Sequence, residues 1–311
     1  MTSELDPDIR TFHARTSADY ARLSGAGYAD MAARRAVAET VRESWAAGGP
    51  AMASSETLTV GPFGNRIRIH RPTGAATLPA MVYLHGGGWM LFSIDSHDRL
   101  MREYAARSGC AVIGVDYSLA PEARFPRALD EVEAVLAWLR DEGAAHGIDA
   151  TRLALGGDSA GGNLALSSAL RLRDGGHAAA ALLLNYGAFD TVERGSHARY
   201  DGDTFMLTRA EMAEFWDNYL GPSPAAAAHP HARPILADLH GLPPTFLCIA
   251  ECDILLDENL AMAERLGEAG VAVTARVYPG ASHSFLEAVE ISALADRALA
   301  EASAWLADTL C

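Results

Sequence analysis

The stretch Leu153-Ala-Leu-Gly-Gly-Asp-Ser-Ala-Gly-Gly-Asn163 decides how the rest of the chain is read. Leu153 to Leu155 is a short apolar run that predicts a buried strand, and Asn163 to Leu170 predicts a helix. Between them, Gly157-Asp-Ser-Ala-Gly161 spells G-x-S-x-G in the strand–turn–helix setting that pattern requires. Such a turn leaves no room for side chains at 157 and 161, and both are Gly. It pushes the Ser159 hydroxyl clear of the backbone, and the helix N-terminus behind it favours developing negative charge. A P-loop would need a Lys that is missing, and the dinucleotide spacing G-x-G-x-x-G is not spelled. Ser159 therefore reads as a nucleophile.

Working outward, Ala80–Leu84, Ala111–Val115 and Ala180–Leu184 are further buried-strand signals, with helices predicted over 97–107 and 128–142. Thr57–Val60 and Ile67–His70 flank Gly61-Pro-Phe-Gly-Asn65 and predict a hairpin. Beyond the elbow, Thr245–Ala250, a helix over 257–269, Val271–Tyr278 and a final helix over 288–310 continue the pattern. Strand alternating with helix means an α/β fold with a mainly parallel sheet. Two segments break the rhythm. Residues 1–47 are amphipathic and helical, interrupted at Gly25-Ala-Gly27. Residues 188–236 form an insertion with one clear helix from Thr208, whose N-cap has a capping-box partner in Glu211. The expected organisation is N-terminal helices (1–47), core (48–187), insertion (188–236) and core again (237–311).

Composition sets limits on partners. A net charge of −15 over 311 residues argues against nucleic acid or an anionic membrane as the main partner. No apolar run approaches the roughly 18–20 residues of a membrane span. The N-terminus has no basic segment followed by an apolar one, so a cytoplasmic location is expected. No Lys occurs anywhere, which excludes a Ser–Lys dyad and a Lys Schiff base. Cys110, Cys248, Cys252 and Cys311 lack a C-x-x-C pair and are expected as reduced thiols. His229, His231 and His240 lack an acidic partner at ligand spacing, so no metal site is expected.

A Ser nucleophile needs a base, an orienting acid and an oxyanion hole. With a G-x-S-x-G elbow these follow in the order Ser, Asp/Glu, His, just beyond strand ends. Six histidines come after Ser159, at 177, 197, 229, 231, 240 and 283, and only His283 directly follows a terminal strand. For the acid, Asp253 follows the strand ending at Ala250, with Glu251 in reserve. Asp257 and Glu258 read as the acidic first turn of the next helix. His85-Gly-Gly-Gly88 follows the strand at 80–84, where bare backbone N–H groups can face a substrate carbonyl. Gly86, Gly87 and Ala160 are assigned as oxyanion donors, and His85 as structural. Trp89, Phe92, Asp158, Tyr186, Phe205, Met206, Phe215 and Trp216 are expected around the substrate pocket, although the insertion's aromatics serve equally well as its own core.

Together His85-Gly-Gly-Gly-Trp89, Asp116-Tyr-Ser-Leu-Ala-Pro-Glu122, Gly157-Asp-Ser-Ala-Gly-Gly162, Asp253-Ile-Leu-Leu-Asp-Glu258 and His283 resemble the hormone-sensitive-lipase-like (bacterial family IV) carboxylesterases of the α/β-hydrolase superfamily. The resemblance runs from about residue 55 to the end of the chain. It implies the α/β-hydrolase fold, with an eight-stranded, mostly parallel sheet and a helical cap built from residues 1–47 and 188–236. The triad reads as hydrolysis through an acyl-enzyme without a cofactor, and a confined pocket favours short- to medium-chain esters, with a small ester and water as partners. A homodimer through an edge strand or helix is compatible with the resemblance. The rival activities are the same triad on an amide, lactone or carbamate, and a non-catalytic receptor on the same fold, which would lack the His. Two positions depart from the family pattern: Ser284 stands where Gly usually follows the catalytic His, and Ser118 replaces the Arg of D-Y-R-L-A-P-E.

Overall fold

The computed structural model describes residues 4–25 and 27–310; Cys311 and Ala26 lie outside them. Eight strands form one sheet: β1 (Ser54–Val60), β2 (Asn65–Arg71), β3 (Leu78–Leu84), β4 (Ala111–Asp116), β5 (Ile148–Asp158), β6 (Ala181–Asn185), β7 (Thr245–Cys252) and β8 (Val273–Ser282). Their spatial order is β1-β2-β4-β3-β5-β6-β7-β8. The β1–β2 hairpin and the β2–β4 pair are antiparallel, and every pairing from β4 through β8 is parallel. Such strands are covered on both faces, and β3 is buried at every position, as its continuous apolar run requires.

The helices are α1 (Pro7–Ser24), α2 (Met31–Ala46), α3 (Asp98–Ser108), α4 (Arg127–Glu142), α5 (Ala160–Asp174), α6 (Gly195–Arg199), α7 (Arg209–Leu220), α8 (Pro224–Ala227), α9 (Leu256–Glu268) and α10 (Ala293–Leu310). Local chemistry explains their ends. Asp6 caps α1 by accepting from the N–H groups of Asp8 and Ile9, and Asp30 caps α2 through Ala33. The capping box at Thr208 and Glu211 is formed, with Glu211 N–H donating to Thr208 Oγ1 at 3.2 Å and Thr208 N–H to Glu211 Oε2 at 3.0 Å. The single helix expected over 288–310 is instead two pieces. A 3₁₀ turn spans Phe285–Glu290, and α10 begins afresh because Ser292 caps it, accepting from the Ala295 N–H.

The N-terminal helices and the insertion meet above the C-terminal ends of the strands. Arg34 of α2 pairs with Glu214 of α7 at 2.6 Å. Arg35 holds α2 to the core, donating to the carbonyls of Met90 and Ala120 and to the Glu122 carboxylate. Among the described residues no helix is long and apolar enough to cross a membrane. Cys110, Cys248 and Cys252 are buried.

Candidate active site

Three parallel strands each deliver one side chain. Ser159 is the residue after β5, Asp253 the residue after β7, and His283 the residue after β8. Because β5, β7 and β8 run the same way, their ends lie along one edge, and three residues far apart in sequence converge there. His283 Nε2 lies 2.9 Å from Ser159 Oγ, and its Nδ1 lies 2.7 Å from Asp253 Oδ2. The second Asp253 oxygen accepts the Leu255 N–H at 2.9 Å, which fixes the carboxylate. With Nδ1–H directed at the carboxylate, Nε2 is the tautomer's acceptor and faces the serine hydroxyl. Asp253 is 1% exposed, so its charge acts on the imidazole with little water between them. Glu251, the reserve acid, instead accepts the Gly280 N–H at 3.0 Å.

The elbow is strained as the motif demands. Ser159 has φ +53° and ψ −119°, a conformation rare for a residue with a side chain. Gly161 is required by close approach, since a Cβ there would sit 1.9 Å from the Leu84 carbonyl oxygen at the end of β3. The elbow thus packs directly against the strand that carries the His85–Gly88 loop.

That loop departs from the expected assignment. The Gly86 N–H is already donated to Asp158 Oδ1 at 3.1 Å, so it does not face the serine. Gly87 and Gly88 line the same cavity as Ser159 and His283, and their N–H groups make no hydrogen bond among the described residues. Ala160, the first residue of α5, has one of the N–H groups a helix start leaves unpaired. The free donors are therefore at 87, 88 and 160, one residue along from the expected set in the glycine run.

Asp158 is a structural hub, not a pocket residue. Fully buried, it also accepts from the Tyr83 hydroxyl at 2.8 Å and lies 3.5 Å from His97 Nε2. Burial alone would raise its carboxyl, but the facing His97 and the hydrogen bonds hold it below the usual carboxylate range. His85 is structural as expected. It stacks on Tyr117 at 4.3 Å, and burial lowers its imidazole to about 4.

The cavity over the triad is about 420 Å³. Of the eight residues expected around it, Phe92, Met206 and Phe215 line it. The others pack elsewhere. Trp89 is 1% exposed, stacks on Tyr219 at 4.3 Å and packs at a tilt against Trp216 at 4.5 Å, so the two tryptophans form the seam between the insertion and the core. Phe205 packs on Tyr200. Tyr186 is buried edge-on to the His283 ring at 5.1 Å and supports it from behind. A cap from residues 1–47 was expected, but not which of its residues reach the wall: α1 and α2 bring Thr16, Tyr20, Arg34, Ala38 and Arg42 there. The sequence reading missed that Glu258 is buried, accepting the Phe189 N–H at 2.7 Å at the start of the insertion, with burial pushing its carboxyl well up. A larger open groove of about 700 Å³ over β8 and α10, lined by Phe246, Tyr278 and Trp305, holds none of the triad.

Of the two departures from the family pattern, Ser118 has a local explanation and Ser284 does not. Ser118 donates its hydroxyl to Glu131 Oε1 at 2.6 Å while its N–H reaches Oε2 at 2.7 Å, and Arg127 also donates to Glu131. A short residue therefore suffices there, because Arg127 supplies the cation. Ser284 adopts φ +61° and ψ +14°, the left-handed region that favours Gly.

Comparisons with known proteins place the chain in a family. Residues 81–287 match the family described by the alpha/beta hydrolase fold. The chain is 35% identical over 266 residues to the acetyl esterase of Salmonella paratyphi B, covering 83% of this chain and 81% of that one. It superposes with a TM-score of 0.90 on an ester hydrolase from the metagenome of Lake Arreo, at 35% identity with 98% of each chain covered. A hyperthermophilic esterase from the archaeon Pyrobaculum calidifontis gives a TM-score of 0.90, at 34% identity and again 98% of each chain. The chain belongs to the α/β-hydrolase-fold family. Within it, this is a hormone-sensitive-lipase-like serine carboxylesterase, a carboxylic ester hydrolase.

Proposed function

We propose that Ser159, His283 and Asp253 hydrolyse short- to medium-chain acyl esters through an acyl-enzyme. The observation that carries the reading is the relay in which one imidazole lies 2.9 Å from Ser159 Oγ and 2.7 Å from Asp253 Oδ2. His283 Nε2 takes the hydroxyl proton as Oγ bonds to the acyl carbon, and the carbonyl oxygen becomes an oxyanion. The N–H groups of Gly87, Gly88 and Ala160 receive that charge. Collapse breaks the bond to the alcohol oxygen, which leaves with the proton from His283. Water, deprotonated by the same nitrogen, then attacks the acyl-enzyme and releases the acid, returning the proton to Ser159. Asp253 orients the imidazole and stabilises its transient charge.

Residues 1–47 and 188–236 act as a cap over this site, since both contribute to the cavity wall. A cavity of about 420 Å³ closed by Phe92, Met206 and Phe215 suits a small acyl group, in keeping with the acetyl esterase relatives. The partners are then a small ester and water. The open edge of β8, where Val277 is 43% exposed, is where a second copy would pair, and sedimentation velocity at micromolar concentration reads that out. The activity is tested with p-nitrophenyl esters from acetate to palmitate. The expected kcat/KM is greatest for short chains and falls steeply beyond medium length; a maximum at palmitate would contradict the assigned acyl preference.

A further inference from the structure

Ser284 is the residue whose conformation its side chain does least to explain. It follows His283, holds φ +61°, and lines the cavity that contains Ser159. A Gly at that position would adopt the same backbone without strain. A Ser at the start of a helical turn ordinarily uses its hydroxyl as the cap. Here the backbone carbonyl of Ser284 accepts the Glu287 N–H at 3.1 Å, but the side chain makes no capping bond to the 3₁₀ turn that follows. The Ser284 hydroxyl makes no hydrogen bond among the described residues, although the residue is only 8% exposed. It is a polar group kept at the reacting centre without a partner in the fold.

The wall beside it has the same character. His13 Nε2 meets Ser282 Oγ at 2.7 Å, which ties α1 to the residue before the catalytic histidine. Thr16 and Tyr20 follow His13 at i+3 and i+7, so they share its helix face. Both line the cavity, and the Thr16 hydroxyl is buried without a partner among the described residues. Arg42, 4% exposed and paired with Glu287, adds a guanidinium whose Nε is likewise unpaired. The same cavity is lined by Leu91, Phe92, Leu207 and Phe215, with the Arg42 guanidinium 4.8 Å from the centre of the Phe92 ring. The cavity thus sets apolar side chains beside hydrogen-bonding groups that have no partner among the described residues, and an alkyl substituent would leave those groups unpaired.

We infer that Ser284 is a specificity-determining residue, whose hydroxyl hydrogen-bonds a hydroxyl carried by the substrate next to the scissile ester. The preferred substrates are then short esters of hydroxylated alcohols, or esters of hydroxy acids, over their alkyl isosteres. The inference deepens the ester-hydrolase reading above and rests on it.

Two isosteric pairs test it on the full chain, each exchanging one methyl for one hydroxyl. 2-Hydroxyethyl acetate against propyl acetate places the hydroxyl on the alcohol side; ethyl lactate against ethyl isobutyrate places it on the acyl side. The wild type is expected to favour the hydroxylated member of one pair by about tenfold in kcat/KM, and that pair names the side. In both Ser284→Ala and Ser284→Gly this ratio should fall towards one. Alanine keeps the Cβ and its backbone strain, whereas glycine removes both, so a loss shared by the two reports the hydroxyl and not the loop. The inference is overturned if the wild type favours neither hydroxylated ester, or if either variant keeps the wild-type ratio. p-Nitrophenyl acetate is the control. If the wild type fails to cleave it, the hydrolase reading itself is refuted; if it is cleaved while the pairs go undiscriminated, only the role of Ser284 falls.

Discussion

The Gly86 N–H donates to Asp158 Oδ1 at 3.1 Å, so the residue before the nucleophile fastens the loop that faces it. The same oxygen accepts the Tyr83 hydroxyl, and His97 lies against the other oxygen. One buried carboxylate thereby sets the distance between the elbow and the donors at 87 and 88.

Asp158→Asn should loosen that attachment. It preserves volume but removes the charge facing His97 and offers only one acceptor oxygen. We expect kcat/KM for p-nitrophenyl acetate to fall about 10- to 100-fold, less than the about 100- to 1000-fold of removing an oxyanion donor outright, because the donors are displaced and not lost. Urea unfolding should show a loss of about 3 kcal/mol, because buried His97 loses the charge that faces it. Unchanged kcat/KM in a folded variant would show that the loop is held by other contacts.

Stability should fall as the medium is acidified from about pH 6.5 towards 4. Burial lowers the His13 imidazole to about 4, with the charges of Arg42 and His283 adding to it, and burial lowers His85 to about 4 as well. The unfolded chain keeps these groups near 6.5, so below that pH it binds more protons than the native state and stability declines. The full effect is about 3 kcal/mol per group once the pH is below 4. His97 opposes it: burial pulls its pKa down, but Asp158 more than offsets this, so the raised group stabilises at low pH and loses that contribution as pH rises through its folded value. His13→Gln should flatten the decline in urea midpoints measured between pH 4.5 and 7. An identical slope in the variant would remove His13 from the account.

Ser284→Gly should stabilise the fold by about 1 kcal/mol, since a left-handed conformation is unfavourable by about that much for a residue with a Cβ. Differential scanning calorimetry reads this without reference to substrate. A lowered melting temperature would mean that the hydroxyl contributes more to the fold than its hydrogen bonds indicate.

The triad was legible because each member directly follows a strand, and strand ends are visible as apolar runs closing on polar residues. The capping box at Thr208 and Glu211 was legible for the same reason, being a short-range pattern. What stayed hidden depends on side chains arriving from elsewhere. Nothing within His85–Gly88 reveals that Asp158 will take up the Gly86 N–H, so which of these glycines keeps a free N–H is not legible in the run itself. Trp89 and Trp216 have the composition of a pocket wall, and only the packing of Trp89 on Tyr219 and Trp216 shows them to be a seam. The N-terminal helices announced an amphipathic face, but which of their residues reach the cavity depends on how α1 and α2 dock.

The most direct test of the account is covalent labelling with a p-nitrophenyl alkylphosphonate, read by intact mass and peptide mapping. One adduct per chain is expected, located on Ser159, with release of one p-nitrophenol, and no adduct in Ser159→Ala. Labelling at another residue, or undiminished labelling of the variant, would contradict Ser159 as the nucleophile.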